Sequence, residues 1–242
     1  MFILSAGLPK SGSTLLSLYQ REILVRSLPG NGQLAFEEMI SDGTVAGIAL
    51  FVHDLEKPAT LNLLEQISLK TGPFLVKTHA PLNQDIREML NSGRIMATYI
   101  HRDPRDIILS AIDHGRRPAD HPAWNPFFAR CTDIGTTIPI VRELCHEGAG
   151  WMQDARWPVF TYTSLLTDPA GVLGNFFRML GLPPDLSLIN ELVDTYVGNA
   201  VKGKKQFNTG KISRFREEMT TAEVERCTAG LAEEIRFFGY TP

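Results

Sequence analysis

The chain has 242 residues, of which 43% are hydrophobic and 21% are charged, and its formal net charge at pH 7 is −3. These values fit one soluble domain with a substantial core, and they exclude a general nucleic-acid binder, which would be strongly basic. No apolar run approaches the roughly 18 residues of a membrane span, and no basic segment before a long apolar stretch marks a signal peptide.

The cysteines indicate the cellular compartment. The chain has three of them, Cys131, Cys145 and Cys227, and their spacing matches neither a zinc site nor a C-x-x-C motif. Reduced thiols in a reducing environment account for an odd number of scattered cysteines. We therefore predict a cytoplasmic protein without a metal site. Together with its length and charge, the sequence predicts one domain over residues 1–242 and no membrane or nucleic-acid partner.

The chain begins with a pattern typical of a strand, a phosphate-sized loop and a helix. An apolar run at residues 2–4 precedes a loop rich in glycine and hydroxyl groups at residues 6–14, and apolar periodicity continues over residues 15–28. The backbone N–H groups of such a loop meet at a helix N-terminus, where the dipole favours an anion. Lys10 adds a positive charge to this predicted anion site.

The position of that lysine separates this loop from the loop of a P-loop kinase. The kinase pattern is G-x-x-x-x-G-K-[ST]. Gly7 and Gly12 have its spacing, but Ser13 occupies the lysine position, and Lys10 lies two residues before Gly12. A kinase needs its lysine on the transferring phosphate, so this loop is a variant.

The next strand candidate has polar residues at its end. Residues 74–79 form a short apolar run that closes with Lys77 and His79. Because ligands bind at the carboxyl ends of strands in open α/β sheets, these two side chains are candidate site residues. Between the first helix and this strand lie three apolar or amphipathic segments: 34–40, 46–52 and 59–68.

A third apolar run, residues 95–100, leads into a charged segment. Asp103 can cap the helix that follows, and Pro104 fits its first turn, so a solvated, capped helix start explains the aspartates. It does not explain why Arg102 ends a buried strand. Ser110 lies eight residues after Arg102, about two helical turns along.

Residues 115–130 contain three prolines and the aromatic side chains Trp124, Phe127 and Phe128, which predicts a long loop with aromatic anchors. Loops of this length are usually functional or disordered, and the aromatic residues argue against disorder. A lid, a pocket wall and a packed surface loop all fit the pattern. A helix is predicted after it, over residues 132–145.

The remainder of the chain adds one more strand candidate, residues 157–162, and a basic segment without periodicity, residues 201–216. Helices are predicted over three further segments: 171–180, 186–196 and 223–238. Four strand candidates that alternate with helices predict an α/β fold with a central parallel sheet flanked by helices.

Two of these segments resemble the sulfotransferases that use 3′-phosphoadenosine 5′-phosphosulfate (PAPS). Pro-Lys-Ser-Gly-Ser-Thr resembles their 5′-phosphosulfate loop, and the Lys-Thr-His-Ala-Pro that starts at Lys77 resembles their Lys-Thr-His-x-Pro segment. The resemblance implies that His79 is the general base for the acceptor and that Lys77 helps to hold the sulfuryl oxygens; an imidazole with a pKa of ~6.5 suits that task. It also implies a set of donor-binding residues in the loop: Pro9, Lys10, Ser11, Gly12, Ser13 and Thr14.

Residues 99–110 resemble the 3′-phosphate motif of the same family, in which an Arg-(Asn/Asp)-Pro-(Lys/Arg)-Asp segment precedes a serine at this spacing. Arg102 and Ser110 would then hold the 3′-phosphate through a charged fork and a hydroxyl. Tyr162 matches the family's tyrosine near the adenine, although the acidic pair that follows it is replaced. Leu15 stands where many relatives have a tryptophan that stacks on the adenine.

The basic segment 201–216 resembles the family's C-terminal loop, Arg-Lys-Gly-x-x-Gly-Asp-Trp, which folds over the 3′-phosphate. Its Arg-Lys and Gly-Asp pairs are replaced here, so the charge can come from neighbouring basic residues instead. The residues of this segment that the resemblance assigns to the nucleotide are Gly210, Lys211, Arg214 and Arg216.

Histidines other than His79 are weaker candidates for the base. His101 neighbours Arg102, which disfavours its protonation, and alternation along the strand turns it to the opposite face. The other four lack metal-ligand spacing, and we expect them at the surface or in loops: His53, His114, His121 and His146.

The order and spacing of these motifs resemble those of PAPS-dependent sulfotransferases, which implies such an enzyme with a P-loop NTPase-like fold. Such an enzyme moves a sulfuryl group to a hydroxyl or amine of a small-molecule acceptor, releases 3′-phosphoadenosine 5′-phosphate (PAP) and needs no metal. A kinase that uses ATP and Mg²⁺ is one alternative, and Ser13 argues against it. A non-catalytic protein that binds PAP and transfers nothing is another, and His79 argues against that.

Overall fold

The computed structural model describes residues 1–43, 51–52, 54–120, 125–153, 156–196 and 210–242. Within these ranges the chain forms a sheet of five parallel strands in the order β2-β3-β1-β4-β5. The strands are β1 (Phe2–Gly7), β2 (Phe51–Val52), β3 (Phe74–Thr78), β4 (Ile95–His101) and β5 (Val159–Thr161). The predicted α/β class with a central parallel sheet is confirmed. Strand β2 falls within the apolar segment 46–52, where no strand is predicted.

Helices connect the strands and cover the sheet. They are α1 (Ser13–Ser27), α2 (Gln33–Ser41), α3 (Pro58–Thr71), α4 (Gln84–Asn91), α5 (Pro104–Gly115), α6 (Ile134–Gln153), α7 (Tyr162–Thr167), α8 (Pro169–Met179), α9 (Leu186–Tyr196), α10 (Phe215–Glu218), α11 (Thr221–Gly230) and α12 (Ala232–Phe237), with a 3-10 helix at Pro126–Arg130.

Both faces of the sheet are covered, which explains why the central strands are continuous apolar runs. Along β1 the side chains alternate between two apolar clusters, with Phe2 and Leu4 in one and Ile3 in the other. The first cluster includes residues of α3, α6 and α12, and the second includes residues of α1, α8 and α9. The core therefore lies as two layers on either side of the sheet.

The three central strands end at one edge of the sheet. Ala6 of β1 pairs with Thr78 of β3, and Gly7 pairs with Ile100 of β4. The loop after β1, the residue after β3 and the residue after β4 therefore emerge side by side, as expected for parallel strands. This register brings the separate sequence motifs together.

Two predicted helix boundaries are wrong. The helix predicted over 132–145 continues to Gln153, because Trp151 is buried and its indole N–H donates to the carbonyl of Ala80 at 3.0 Å. The single helix predicted over 223–238 is broken at Leu231, whose backbone is not helical (φ −128°, ψ 26°). A Cβ on Gly230 would lie 3.1 Å from Ile138, so this close approach to α6 accompanies the break.

The fourth predicted strand is also too long. It ends at Thr161, and Tyr162 begins α7 instead. The Thr161 hydroxyl accepts the N–H of Ser164, and the Ser164 hydroxyl accepts the N–H of Thr161, which is a reciprocal cap that stops the strand. This turn directs Tyr162 toward the loop after β1.

Candidate active site

A cavity of about 830 Å³ opens where β1, β3 and β4 end. Residues from several separate parts of the chain line it. The predicted site residues on its wall are Pro9, Lys10, Gly12, Ser13, Thr14, Lys77, His79, Arg102, Ser110, Tyr162, Gly210 and Arg214. We call the part with Lys10, Lys77 and His79 the lysine end, and the part with Arg102, Ser110 and Arg214 the arginine end.

The loop after β1 is held in a tight left-handed path. Lys10 has φ 66° and Gly12 has φ 86°, and a Cβ on Gly12 would lie 2.5 Å from the ring of Tyr162. Glycine is therefore required at position 12 both by its backbone and by its neighbour. The hydroxyl of Ser11 is buried and donates to the carbonyls of Leu8 (2.6 Å) and Ile100 (3.2 Å), so it fastens the loop to β4.

Two lysines meet at the lysine end. The Lys77 ammonium donates to the hydroxyl of Thr14 at 2.9 Å, and the Lys10 ammonium lies 3.0 Å from Nδ1 of His114. Burial lowers the pKa of Lys77 to about 8. Burial, together with the positive charges of Arg117 and Lys77, lowers the pKa of Lys10 to about 8.

His79 is oriented by a backbone carbonyl. Its Nδ1 lies 2.5 Å from the carbonyl oxygen of Gly7, and its ring meets the edge of Phe51 at 4.8 Å between centroids. A carbonyl oxygen can only accept, so Nδ1 carries the proton and donates it. In the neutral ring the lone pair then lies on Nε2, which is the arrangement that a general base needs.

Arg102 is buried at the arginine end and is held on three sides. Its Nε donates to the carboxylate of Asp106 at 3.2 Å, and its Nη2 donates to the carbonyl of Lys211 at 2.8 Å. Its guanidinium lies over the ring of Tyr162, 4.2 Å from the centroid. Asp106 also accepts the N–H of Phe215 at 3.1 Å, so the segment that contains Phe215 is held by the same carboxylate.

Arg214 is the second buried arginine of this end. It donates to Asp113 at 2.7 Å and to both oxygens of Glu218 at 2.9 and 2.6 Å. Lys211 and Arg216, the other basic residues predicted as nucleotide contacts in the segment 201–216, do not line the cavity. Lys211 is exposed and pairs with Glu217 at 3.0 Å, and Arg216 is exposed and lies over the Phe215 ring.

Part of the cavity wall is apolar, although Glu56, Asn125 and Glu147 also line the cavity. Phe51, Phe127, Phe128 and Leu144 contribute to the apolar part. The two phenylalanines at 127 and 128 belong to the 3-10 helix at the end of the segment that was predicted to be a long loop, and Phe128 is buried. Of the roles that fitted this segment, the structure favours a pocket wall; its predicted anchor Trp124 lies outside the described residues.

The expectation that His114 lies at the surface or in a loop is wrong. This residue is buried in the last turn of α5, and its ring lines the cavity beside Lys10. A signal was present in the sequence: His114 follows Ser110 by four residues, so the two share one face of the helix. His53 and His121 lie outside the described residues.

Two other histidines lie away from the cavity. His101 is buried against Phe238 and Tyr240, and its Nδ1 is 3.2 Å from the hydroxyl of Tyr240. Burial lowers the pKa of His101 to about 4. His146 is exposed on α6 and pairs with Glu234 at 3.0 Å. Among the residues that the structure describes, no three His, Cys, Asp or Glu side chains are grouped so as to hold a metal ion. None of the helices in these ranges is long and apolar enough to cross a membrane.

Comparison with known proteins gives a family and a fold. The model of the sulfotransferase domain matches residues 2–233 of the chain. A mouse sulfotransferase, SULT7A1, solved with PAP, is 14% identical with a TM-score of 0.61, and the match covers 97% of this chain and 83% of that one. A search of curated proteins found no match.

Two structures of retinol dehydratase are also similar. The complex with retinol and PAP is 17% identical with a TM-score of 0.56, and the match covers 97% of this chain and 81% of that one. The complex with androsterone and the inactive cofactor PAP is 17% identical with a TM-score of 0.58, and the match covers 97% of this chain and 80% of that one. At these identities the likeness establishes the fold.

Proposed function

The chain belongs to the sulfotransferase family, and we propose that it moves a sulfuryl group from PAPS to a hydroxyl or amine of a small-molecule acceptor. The observation that carries this proposal is the composition of the cavity. It combines a lysine end with a histidine at one side and an arginine end with a serine at the other. PAP, the nucleotide that remains after PAPS transfers its sulfuryl group, is bound in each of the three similar structures.

In this proposal the donor takes one orientation in the cavity. The 5′-phosphosulfate lies at the loop after β1, where the N-terminus of α1 and the ammonium of Lys10 favour an anion. The 3′-phosphate lies at the arginine end with Arg102, Ser110 and Arg214, because guanidinium groups bind phosphate oxygens in pairs. A guanidinium has five donors, so Arg102 can bind phosphate while it keeps its bonds to Asp106 and Lys211.

Tyr162 and Gly210 complete the nucleotide site in this proposal. Tyr162 already lies against Gly12 and under Arg102, so it joins the two ends of the cavity beside the adenosine. Lys211 and Arg216 contribute less than the resemblance implies, since both are exposed and only the carbonyl of Lys211 contacts Arg102. Ser11 supports the site by holding the loop to β4.

The chemical step needs a base and a stabilised leaving group. His79 takes the proton from the acceptor through Nε2, the acceptor oxygen or nitrogen bonds to sulfur, and the bond from sulfur to the phosphate oxygen breaks. Lys10 offsets the negative charge that grows on that phosphate oxygen, and Lys77 holds the sulfuryl oxygens. Positioning and charge stabilisation account for most of the rate enhancement in such transfers.

The acceptor binds at the apolar part of the cavity wall. Phe51, Phe127 and Phe128 give this wall aromatic surface, which favours an acceptor with an apolar or aromatic body that presents its nucleophile to His79. Retinol and androsterone are the small molecules bound in the two retinol dehydratase complexes. Cys131, Cys145 and Cys227 are buried free thiols, which supports the proposed cytoplasmic location, where thiols stay reduced.

Donor binding is tested by thermal unfolding of the purified protein with PAP and, separately, with ATP and Mg²⁺. A ligand at 100 times its dissociation constant stabilises by about 2.7 kcal/mol, which raises the midpoint by several degrees. We expect a shift with PAP alone, reduced in Arg102→Ala and Ser110→Ala and retained in the surface control Arg94→Ala, whose partner Glu65 lies outside the cavity. A shift with ATP and Mg²⁺ alone would support the kinase alternative.

Transfer is tested by release of PAP from PAPS in the presence of a panel of phenols, aliphatic alcohols and amines. We expect at least one class to accelerate release above the rate without acceptor, and the sulfated product to be detected by mass spectrometry. Binding of PAP with no turnover across the panel would favour the non-catalytic alternative.

A further inference from the structure

Lys10 has a partner that the donor site does not require. Its ammonium lies 3.0 Å from Nδ1 of His114, and both side chains line the cavity. The ring of Phe128 packs on both of them, with its centroid 5.1 Å from that of His114 and 5.3 Å from the Lys10 ammonium. His114 is buried, so its position relative to Lys10 is fixed by the protein.

The geometry of α5 explains why His114 can reach Lys10. Arg102 precedes the helix, Ser110 follows two turns later, and His114 lies one further turn along the same face. One helix therefore runs from the arginine end of the cavity to the lysine end. A side chain at position 114 meets the loop after β1 where that loop takes its left-handed path at Lys10.

The direction of this hydrogen bond follows from chemistry. An ammonium group has donors and no acceptor, so Nδ1 of His114 accepts and must carry no proton. A neutral imidazole orients the ammonium without cancelling its charge, which a carboxylate would do. If His114 gained a second proton, it would lose its acceptor and repel Lys10.

Other charged and titratable groups surround the pair. The burial and charges around Lys10 favour its neutral amine, whereas an accepting nitrogen favours the ammonium. The charged and titratable groups that act on the pair or line its cavity are Asp113 on α5, Arg117 just after α5, Lys77 and His79 at the end of β3, Arg102 after β4, Cys131 after the 3-10 helix, Glu147 on α6, and also Glu56, Tyr162 and Arg214.

We propose that His114 is the positioning residue of Lys10: as a neutral imidazole it holds the charged ammonium toward the leaving phosphate oxygen. This rests on the proposed function. Because Lys10 acts on charge that grows during the reaction, misplacing it lowers kcat more than it raises the KM for PAPS. A misplacement of about 1 Å can cost up to about 100-fold in rate.

Two substitutions separate positioning from packing. His114→Phe keeps a ring against Phe128 and removes the acceptor, whereas His114→Asn loses the ring and keeps an acceptor near the position of Nδ1. We expect kcat with PAPS and the best phenol of the panel to fall about 10- to 100-fold in His114→Phe and to stay within a few fold in His114→Asn. The control His146→Phe changes an exposed histidine outside the cavity and should leave kcat unchanged. A purely structural role predicts the reverse order, with His114→Asn the more damaged variant, and that result would overturn the proposal.

Nitrogen NMR of the uniformly ¹⁵N-labelled protein tests the pairing without any turnover. The His114 ring, assigned by its absence in His114→Asn, should carry its proton on Nε2 and none on Nδ1 at pH 7.5. A proton on Nδ1 would overturn the proposal even in an active enzyme. Absence of PAPS turnover in the wild type would instead reject the proposed function, while the tautomer would still decide whether His114 accepts from Lys10.

Discussion

At the arginine end of the cavity, Arg102 and Arg214 are paired with carboxylates, whereas at the lysine end Lys10 and Lys77 have neutral hydrogen-bond partners. The arginines keep their charge at any physiological pH and are held by Asp106, Asp113 and Glu218. The lysines, by contrast, are half-buried, and desolvation lowers their pKa values to about 8.

This difference matches two tasks. A phosphate that is present throughout the reaction is best bound by donors that are already fixed and charged, as at the arginine end. Charge that grows only in the transition state is best met by a positive group whose charge is costly until that moment, as at the lysine end. In the proposed mechanism, one end of the cavity therefore binds the nucleotide and the other performs the chemistry.

The largest expected effect is at the lysine end. Replacement of His79 or Lys10 by alanine should lower kcat by about 100-fold or more, because the base or the positive charge at the leaving oxygen is lost. Stopped-time assays of PAP release with saturating PAPS measure this. PAP should raise the unfolding midpoint of His79→Ala as much as that of the wild type, and near-normal turnover in both variants would contradict the mechanism.

Replacement of Arg102 by alanine should weaken the binding of PAP. A charge-assisted hydrogen bond is worth about 1.5–3 kcal/mol, so Arg102→Ala should weaken PAP binding by about 10- to 100-fold. Calorimetric titration with PAP gives the affinity directly. If Arg102→Ala instead lowered kcat at saturating PAPS while PAP affinity stayed constant, the division between the two ends would be wrong.

Arg214 and Arg216 form a matched pair on the same segment. Arg214 is buried on the cavity, and Arg216 is exposed beside Phe215. Arg214→Gln should weaken PAP binding by about tenfold, and Arg216→Gln should change it less than about twofold. Equal losses in the two variants would mean that Arg216 contacts the nucleotide after all.

The two ends should also differ in their response to pH. Lys10 and Lys77 lose charge as the pH rises through about 8, whereas the arginines do not. From pH 7 to 9.5, the affinity for adenosine 5′-phosphate should fall about 3- to 10-fold, and that for adenosine 3′-phosphate should stay nearly constant. Parallel pH profiles of the two affinities would contradict the assignment of the ends.

The lowered pKa values of Lys10 and Lys77 also determine whether the free energy of unfolding rises or falls with pH. Between pH 8 and the ordinary lysine pKa of 10.5, the unfolded chain binds more protons at these two positions than the folded chain does. The free energy of unfolding from this source should therefore rise with pH across that window. Lys10→Met should flatten the rise, as measured by urea unfolding at several pH values.

Most of the fold follows from local signals in the sequence. The helix predicted over 186–196 is α9 with the same bounds, and Asp103 caps α5 as predicted, since its carboxylate accepts the N–H of Arg105 at 2.9 Å. The two-residue strand β2 has no periodicity to detect. The break at Leu231 depends on contact with α6, which a local pattern does not contain.

The site was predictable where it follows the ends of strands. The rule predicts Lys77 and His79 as site residues, Arg102 is predicted from the family resemblance at the end of another buried strand, and the register of the sheet brings all three to one edge. His114 was missed because its partner Lys10 is 104 residues away, although its spacing from Ser110 was visible. Which basic residues of a loop face inward depends on pairs such as Arg214 with Asp113, and these form only in the folded protein.

A crystal structure of the protein with PAP would test the central claim most directly. The account predicts the 3′-phosphate within about 3 Å of the Arg102 guanidinium and the 5′-phosphate at the loop that contains Lys10. Density for a nucleotide in the reverse orientation, or bound outside the cavity, would contradict it.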